Sequence, residues 1–573
     1  MTRRDNTDVG RRQFMKAAGV GGLAAASATG IAAGTSAVAA PETDRDHAAD
    51  VLVIGLGLGG LCAALRALEE GASVIAIDKS ARTPSETEPD WEGRNLAKRA
   101  AIGGNFNLSG QAFHIQYANL TWPAERIWEH VRGPNAHVGD AANAPVQNRL
   151  VDRAGTSIRW LNDHFAGNAA GVSITGMDGE GGNSVRPGKD DPWSSWELRR
   201  KPGGVADYTK YGGYRASMIL LSKIEEAGGR VLEETAATKL ITDEDGRVIG
   251  AKVRPADGGS TSTIRAKAVV IATGGFQKNK ELMTRWIGPF AANWIPSCIH
   301  TNTGDGHIMA MDVGAQMINL NTNYGEWSPY DARFNPDHIM SFSSPLVLDP
   351  TNAGVWVNEN GDRVFDEGGG RFYAADIMAR SSNANLRHMH IIDNDRYQRP
   401  AVRATIGAML DAGMTRSVFS ADTLEGLAEA TVAAADDDLR TDAGWLFSPR
   451  LADTVAEYND AVNSGNAHRL SPPRTGSPRP ILTPPFWGII CLPGTGWTQG
   501  GPKINADGEI LGRDELPIGG LFGAGDVVAG NSMGRTINSK GGYVGGLAPA
   551  LIWGIASGES AAAYARKMSV SGR

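Results

Sequence analysis

The sequence predicts an α/β fold on three observations. Three glycine clusters each sit at the end of a short apolar strand, and they lie far apart in a chain of 573 residues. The first cluster begins at Ala49 in "ADVLVIGLGLGGLCAALRALEEGASVIAIDKS". An apolar strand, Val51 to Ile54, runs into Gly55-x-Gly57-x-x-Gly60, and a helical pattern follows with Leu61, Ala64, Leu65 and Leu68 on one face. A second strand, Ser73 to Ile77, ends at Asp78. This is a Rossmann-like β-α-β unit, and the flanking strands and helix raise the glycine pattern from a weak signal to a specific one. Gly55 makes the turn, Gly57 lets a diphosphate approach and Gly60 lets the helix pack on the strand. The helix amino terminus receives the phosphates. Asp78 is placed to bind a ribose.

The second cluster closes the apolar strand Ala268 to Ala272 with Thr273-Gly274-Gly275. Before it, "GGRVLEETAATKLITDEDGRVIGAKV" reads as a β-meander: strand, strand, a turn at "DEDG", strand. The third, "LPIGGLFGAGDVVAG", delivers Gly523-Ala524-Gly525-Asp526, with the acid positioned for ribityl hydroxyls. A glycine-ended strand so far downstream of the first resembles the one that closes the FAD-binding domain of large flavoproteins. Three such elements make one FAD site.

The amino terminus agrees with a cofactor inserted before export. Arg11 and Arg12 stand ahead of Phe14 and Lys16; a weakly apolar run and Ala37-Val38-Ala39 follow. That order is a twin-arginine signal over residues 1–40, which implies recognition by the twin-arginine export machinery and a periplasmic or other extracytoplasmic destination. An ordinary amino-terminal helix is the alternative. The remaining chain, about 530 residues, is too long for one core and suits two or three domains. A formal charge of −7 with a pI near 5.9 argues against a nucleic-acid partner. The three cysteines, Cys62, Cys298 and Cys491, give no disulfide framework. No C-x-x-C-H stretch attaches a haem, and no ligand spacing suggests a metal.

In this order the motifs resemble the superfamily of soluble fumarate reductases, succinate dehydrogenase flavoprotein subunits and 3-ketosteroid dehydrogenases, over about residues 49–565. The resemblance includes "GGNFNLSG" at 103–110, "NTGDGHIMAMDVGA" at 302–315, "VNENGDRVFDE" at 357–367 and "TQGGPKINADGEIL" at 498–511. It implies FAD contacts from Gly55, Gly57, Gly60, Asp78, Lys79, Asn105, Ser109, Gly110, Ala237, Thr273, Gly274, Asp305, Gly525, Asp526, Gly541 and Val544. No histidine attachment motif stands at the flavin-lining loop, so the FAD is expected to be non-covalent. The stretch from Lys79 to Ile102 is longer than the family usually has before that loop. The family fold implies a discontinuous FAD-binding domain (48–326 and 485–573) with an inserted α+β capping domain at 327–484. The helical pattern of "SADTLEGLAEATVAAADDDLRTDAGWLFSPRLADTVAEYNDAVNSG" and a Pro-rich return suit that insertion.

The family reaction moves hydride between the flavin and one carbon of a CH–CH or C=C bond beside a carbonyl or carboxylate, while a protein group handles the second proton. The residues with the relay spacing are Glu367 and Arg371. Arg396 falls near the family's catalytic arginine, with Tyr397 as the neighbouring alternative, and Arg535 matches the arginine that clamps a substrate carboxylate. Each of these charges has an alternative reading as an interdomain salt bridge. Two family histidines are replaced: Trp497 stands at one position and Glu326-Trp327 at the other. That argues against a small dicarboxylate. The ketosteroid enzymes' carboxyl-terminal tyrosine is here Ile537, although the helping glycine is kept as Gly541, and their cap tyrosine aligns with Arg371. Trp327, Trp487 and Trp497, with Tyr324 and Tyr330, either wall a ring-shaped substrate or pack the domains together. The expected activity is that of an exported FAD-dependent oxidoreductase with a small-molecule substrate and a separate electron donor or acceptor. A ketosteroid-type dehydrogenase with altered tyrosines is the close alternative, and a flavin carrier without turnover the distant one.

Overall fold

The computed structural model describes residues 47–83, 101–108, 112–115, 118–132, 143–179, 183–186, 212–296, 298–334, 354–369, 377–378, 387–434, 447–532 and 547–571. The twin-arginine segment, Ser109, Gly110, Arg371, Arg535, Ile537, Gly541 and Val544 lie outside the described residues.

Two sheets organise the chain. The first contains β1 (Ala48–Ile54), β2 (Val74–Ile77), β3 (Arg230–Leu232), β4 (Thr235–Thr242), β5 (Val248–Pro255), β6 (Ser262–Ile271), β12 (Glu509–Leu511) and β13 (Pro517–Gly523). Its main path runs β12-β13-β6-β1-β2-β3, and every pairing along it is parallel except β12 with β13. Valines, isoleucines and leucines of β1, β6 and β13 are buried on both faces, the pattern of a parallel strand covered by helices on either side. The expected meander is present with one change. β4 and β5 form the hairpin, turned at Asp243–Gly246 with Gly246 at φ +78°, whereas β3 leaves it to pair in parallel with β2.

The second sheet is built on β11 (Phe486–Thr498), a strand of 13 residues. β7 (Asn323–Pro329), β9 (His388–Ile392) and β10 (Val418–Ala421) pair antiparallel with β11, and β8 (Val355–Asn358) extends the sheet from β9. Ile295–Pro296 adds a short parallel pairing. Helix α6 (Leu451–Asn463) lies in the stretch that reads as helical in the sequence and buries Leu451, Val455 and Tyr458, while α5 (Pro400–Asp411), ahead of that stretch, buries Val402, Ile406 and Met409.

Helix α1 (Leu58–Glu69) follows β1, and α2 (Ala144–Phe165), α3 (Gly212–Glu226), α4 (Asp305–Asp312) and α7 (Ala548–Ser571) complete the set used below. α1 is apolar nearly all round and small-sided: Gly59, Cys62, Ala63 and Ala64 are buried. α7 lies directly on it. A Cβ at Gly554 would come within 2.6 Å of the Gly59 carbonyl oxygen and 2.8 Å of Cys62 Cβ, distances that no side chain tolerates. Arg66 closes the exposed edge of this contact through Glu559 of α7 at 3.1 Å. All three cysteines are buried free thiols. Among the described residues no helix is long and apolar enough to cross a membrane.

The helix contact makes a stability prediction. Gly554→Val pushes α7 away from α1 and lowers unfolding free energy by at least about 1–3 kcal/mol, the usual range for overpacking a tight contact. Urea titration of the purified variant measures it; wild-type stability would show that the backbones are not in contact there.

Candidate functional site

A cleft opens where β1, β2, β6 and β13 end. Gly55, Gly57, Leu58 and Gly59 from the first turn of α1, Asp78 and Lys79 from the end of β2, and Thr273 and Gly274 beyond β6 line it. Asn105, Ala237, Asp305, Gly525 and Asp526 complete the lining from the other expected positions. Ligands bind outside the carboxyl ends of parallel strands for a topological reason: the connections to helices on opposite faces diverge there.

The chemistry of the lining runs along the cleft. α1 begins at Gly57 with no side chain capping its first turn. Its free amide hydrogens therefore present partial positive charge to whatever occupies the cleft. Gly57 has nothing within 4 Å of a notional Cβ except the Gly103 carbonyl at 4.0 Å, so a side chain there projects into the open space. Gly60 does the other job: a Cβ would strike the Gly55 carbonyl, and it does not line the cleft. Asp78 braces the turn, its Oδ2 accepting from the Leu56 amide and its Oδ1 from the Ser80 amide, both at 2.7 Å. Burial raises its pKa, opposed by those two backbone bonds.

Across the cleft, Lys79 Nζ donates to Asp305 Oδ2 at 2.7 Å and to Thr303 Oγ1 at 2.6 Å. Asn105 Oδ1 accepts from the Ile299 amide at 3.2 Å and from Asn302 Nδ2 at 3.1 Å. At the far end burial pushes the Asp526 carboxyl up to about 6, partly offset by a hydrogen bond with Asn105. Among the described residues Thr273 Oγ1 is buried without a partner.

These features fit FAD. The uncapped helix end and the missing Cβ at Gly57 suit a diphosphate, and Asp526 and Thr273 are acceptors or donors waiting for hydroxyl groups. Among the described residues no group of three His, Cys, Asp or Glu side chains converges.

The family model "FAD binding domain" matches residues 50–543 of this chain. The chain belongs to that family. FAD is its cofactor, and it is an oxidoreductase. It is 26% identical over 518 residues to a probable fumarate reductase of Shewanella frigidimarina, covering 90% of this chain and 75% of that protein. It is 26% identical over 538 residues to an NADH:fumarate oxidoreductase of Klebsiella pneumoniae, covering 93% of this chain and 50% of that one. The chain thus spans three quarters of the first relative and half of the second. The open conformation of a flavocytochrome c3 fumarate reductase superposes with a TM-score of 0.60 at 23% identity, over 91% of this chain and 79% of that chain. It shares the fold.

Of the candidate catalytic residues, the two that are described, Glu367 and Arg396, are not among the residues that line this cleft. Glu367 is 5% exposed and already engaged. Arg363 donates from Nη2 to Oε2 at 2.5 Å and from Nε to Oε1 at 3.1 Å. The Trp356 amide donates to Oε1 at 3.3 Å, and Arg474 Nε stands 3.8 Å from Oε2. Arg396 is buried in the turn Asn394–Tyr397, whose amino end Asp393 caps by accepting from the Arg396 amide at 3.1 Å. The two candidates are linked through one aromatic stack. Trp356 lies on His390 with ring centres 4.5 Å apart and planes 7° apart. His390 accepts from the Gly354 amide through Nε2, and burial, helped by the Arg396 charge, lowers its pKa to about 3. It is a neutral ring at physiological pH.

The candidate aromatics divide. Tyr324 and Trp497 are cross-strand neighbours on β7 and β11 and stack at 3.8 Å and 15°. Tyr397 and Trp487 stack likewise at 4.0 Å and 13°. Trp327 is 3% exposed and packs on Trp356 at 5.0 Å, within a cluster that includes Phe365, Met378 and Ile406. Tyr330 is fully buried beneath Arg387.

Several site residues escaped the sequence reading. Gly59 approaches Gly525 so closely that a Cβ would lie 2.8 Å from its amide nitrogen, and only the fold brings these two together. Arg474 joins Glu367 from more than a hundred residues away. Arg363 was legible in principle, since it stands four residues before Glu367 in "GDRVFDE".

Gly57 tests the cofactor site. Gly57→Leu places a side chain in the diphosphate path and gives a folded, colourless protein, whereas the wild type is yellow and releases its flavin on acid precipitation. Absorbance near 450 nm reports both, and a yellow Gly57→Leu variant would move the diphosphate elsewhere.

Proposed function

We propose that this chain transfers hydride between FAD and a carbon–carbon bond activated by a neighbouring carbonyl or carboxylate, in the manner of the fumarate reductases it resembles. One observation carries the reading: a continuous FAD cleft in a chain that keeps the relay carboxylate Glu367 in the second, β11-centred unit of the fold. When bound, FAD supplies the electron pair. The chain must hold the substrate, polarise its carbonyl oxygen and handle one proton.

Arg535 is the residue proposed to clamp the substrate oxygen, because a guanidinium pairs with carboxylate or carbonyl through two hydrogen bonds. Arg371, Glu367 and Arg396 are the proposed proton-handling set, with Gly541 beside the substrate. The stack of Tyr324 on Trp497, with Trp497 at the place of one missing family histidine, favours a flat, less polar substrate over a small dicarboxylate. Trp327, read from the sequence as a substrate-side residue, packs instead on Trp356 in the core. The electrons come from or go to a separate donor or acceptor. Arg11 and Arg12 are proposed to direct export of the folded, FAD-loaded chain by the twin-arginine route.

Stopped-flow mixing of the reduced protein with a panel of unsaturated acids, ring enones and ketosteroids tests the reaction. At least one ring-bearing, carbonyl-activated alkene should reoxidise the flavin and be saturated. Arg371→Ala should slow that step about 10²–10⁴-fold at normal FAD content, the usual worth of general acid–base help. Arg535→Ala should raise KM and lower kcat together, because a misplaced carbon misses the flavin. Unchanged rates in both variants would remove these arginines from the mechanism.

Export is tested separately by fractionating cells that express the full chain. Arg11→Lys with Arg12→Lys should hold the protein in the cytoplasm. The double variant appearing outside the cytoplasmic membrane would contradict the twin-arginine reading.

A further inference from the structure

Glu367 has an ion-pair partner that the proposed proton path does not name. Arg363 grips it with two nitrogens at once, and the pair is nearly sealed: 4% of the arginine side chain and 1% of the glutamate side chain are exposed. The remaining nitrogen of the fork, Nη1, donates to the Pro472 carbonyl at 2.7 Å, so the guanidinium is fixed from both ends. Among the described residues, four further charged or titratable groups lie around this pair. Asp366 comes from its own loop, held by the Thr475 amide at 2.9 Å and by the Thr475 hydroxyl. Arg474, with no exposed side chain, comes from the Pro-rich return. Tyr458 comes from α6, its ring 5.7 Å from the Arg363 guanidinium, and His390 lies beyond Trp356 on β9. Two guanidinium groups and two carboxylates thus share a largely buried site.

A buried pair of this kind is poor value as stability alone, because desolvating both charges cancels most of the attraction. It does fix one geometry and one charge state. We propose that Arg363 is the positioning residue for proton transfer: its two-pronged bond holds Glu367 in a single orientation between turnovers. Glu367 then accepts a proton from the solvent side and releases it toward the group that protonates the substrate carbon. No electrons move in this step, and the carboxylate returns to its ionised, Arg363-bound form. The inference rests on the reading of Glu367 as part of the proton path.

The test is the pH dependence of kcat for flavin reoxidation by the best alkene of the panel, in the FAD-loaded protein. Removing a positive charge beside a buried carboxylate makes it keep its proton to higher pH. Arg363→Gln should therefore move the acidic limb of the profile up by at least about one pH unit. It should also lower kcat about tenfold or more near neutrality, with KM changed less than about threefold. Arg363→Lys keeps the charge and loses the fork, so it should fall between the two. An unmoved acidic limb in both variants, with FAD retained, would reduce Arg363 to a structural role, as would loss of FAD from both. Glu367→Gln at wild-type kcat would instead overturn the proton-path reading itself, a result distinguishable from either.

Discussion

The amino terminus of α1 is the constraint on which the rest of the structure depends. A helix end without a capping side chain leaves backbone donors unpaired, and such donors are costly unless water or a ligand takes them. Here they face a cleft rather than bulk solvent. Gly57 keeps the approach open, Gly60 lets α1 lie against β1, and Gly59 lets the Gly525 backbone come alongside. Each small residue serves one side of the same packing problem. The α1 contact with Gly554 of α7 holds the helix axis, so the carboxyl-terminal helix sets where the donors point.

From that fixed end the remaining parts follow by topology. β6 lies beside β1 and β13 beside β6 in the sheet, which brings Thr273 and Asp526 to the same rim although they are some 250 residues apart in sequence. β11 carries the argument outward. It pairs with β7 near the flavin domain and with β9 and β10 in the second sheet, so one strand couples the Tyr324–Trp497 stack to the elements around Glu367 and Arg396.

The parts legible in the sequence were those with local cause. The strand-turn-helix around Gly55 to Gly60, the turn at "DEDG" and the acid after the third glycine cluster are each dictated by neighbours within about twenty residues. What escaped was long-range. Nothing local marks Gly59 as a partner of Gly525, or Arg474 as a neighbour of Glu367, since both depend on how distant strands cross. The departure of β3 from the meander has the same origin: three residues of strand are claimed by the exposed edge of β2 rather than by the next turn. The aromatic set shows the converse. Five aromatics looked equivalent in sequence, yet Tyr330 and Trp327 lie in cores, while Tyr324 with Trp497 and Trp487 with Tyr397 form ordered stacks.

The central claim, that the free end of α1 holds the diphosphate of FAD and thereby organises the cleft, is open to one direct measurement. Apo-protein can be titrated with FAD and, in parallel, with riboflavin, which carries the same ring and ribityl chain but no phosphate. Charge-assisted hydrogen bonds are worth about 1.5–3 kcal/mol each. Several of them at the helix end predict that FAD binds at least roughly a hundredfold more tightly than riboflavin. Equal affinity for the two would contradict the claim, and would place the binding energy in the ring and ribityl contacts instead.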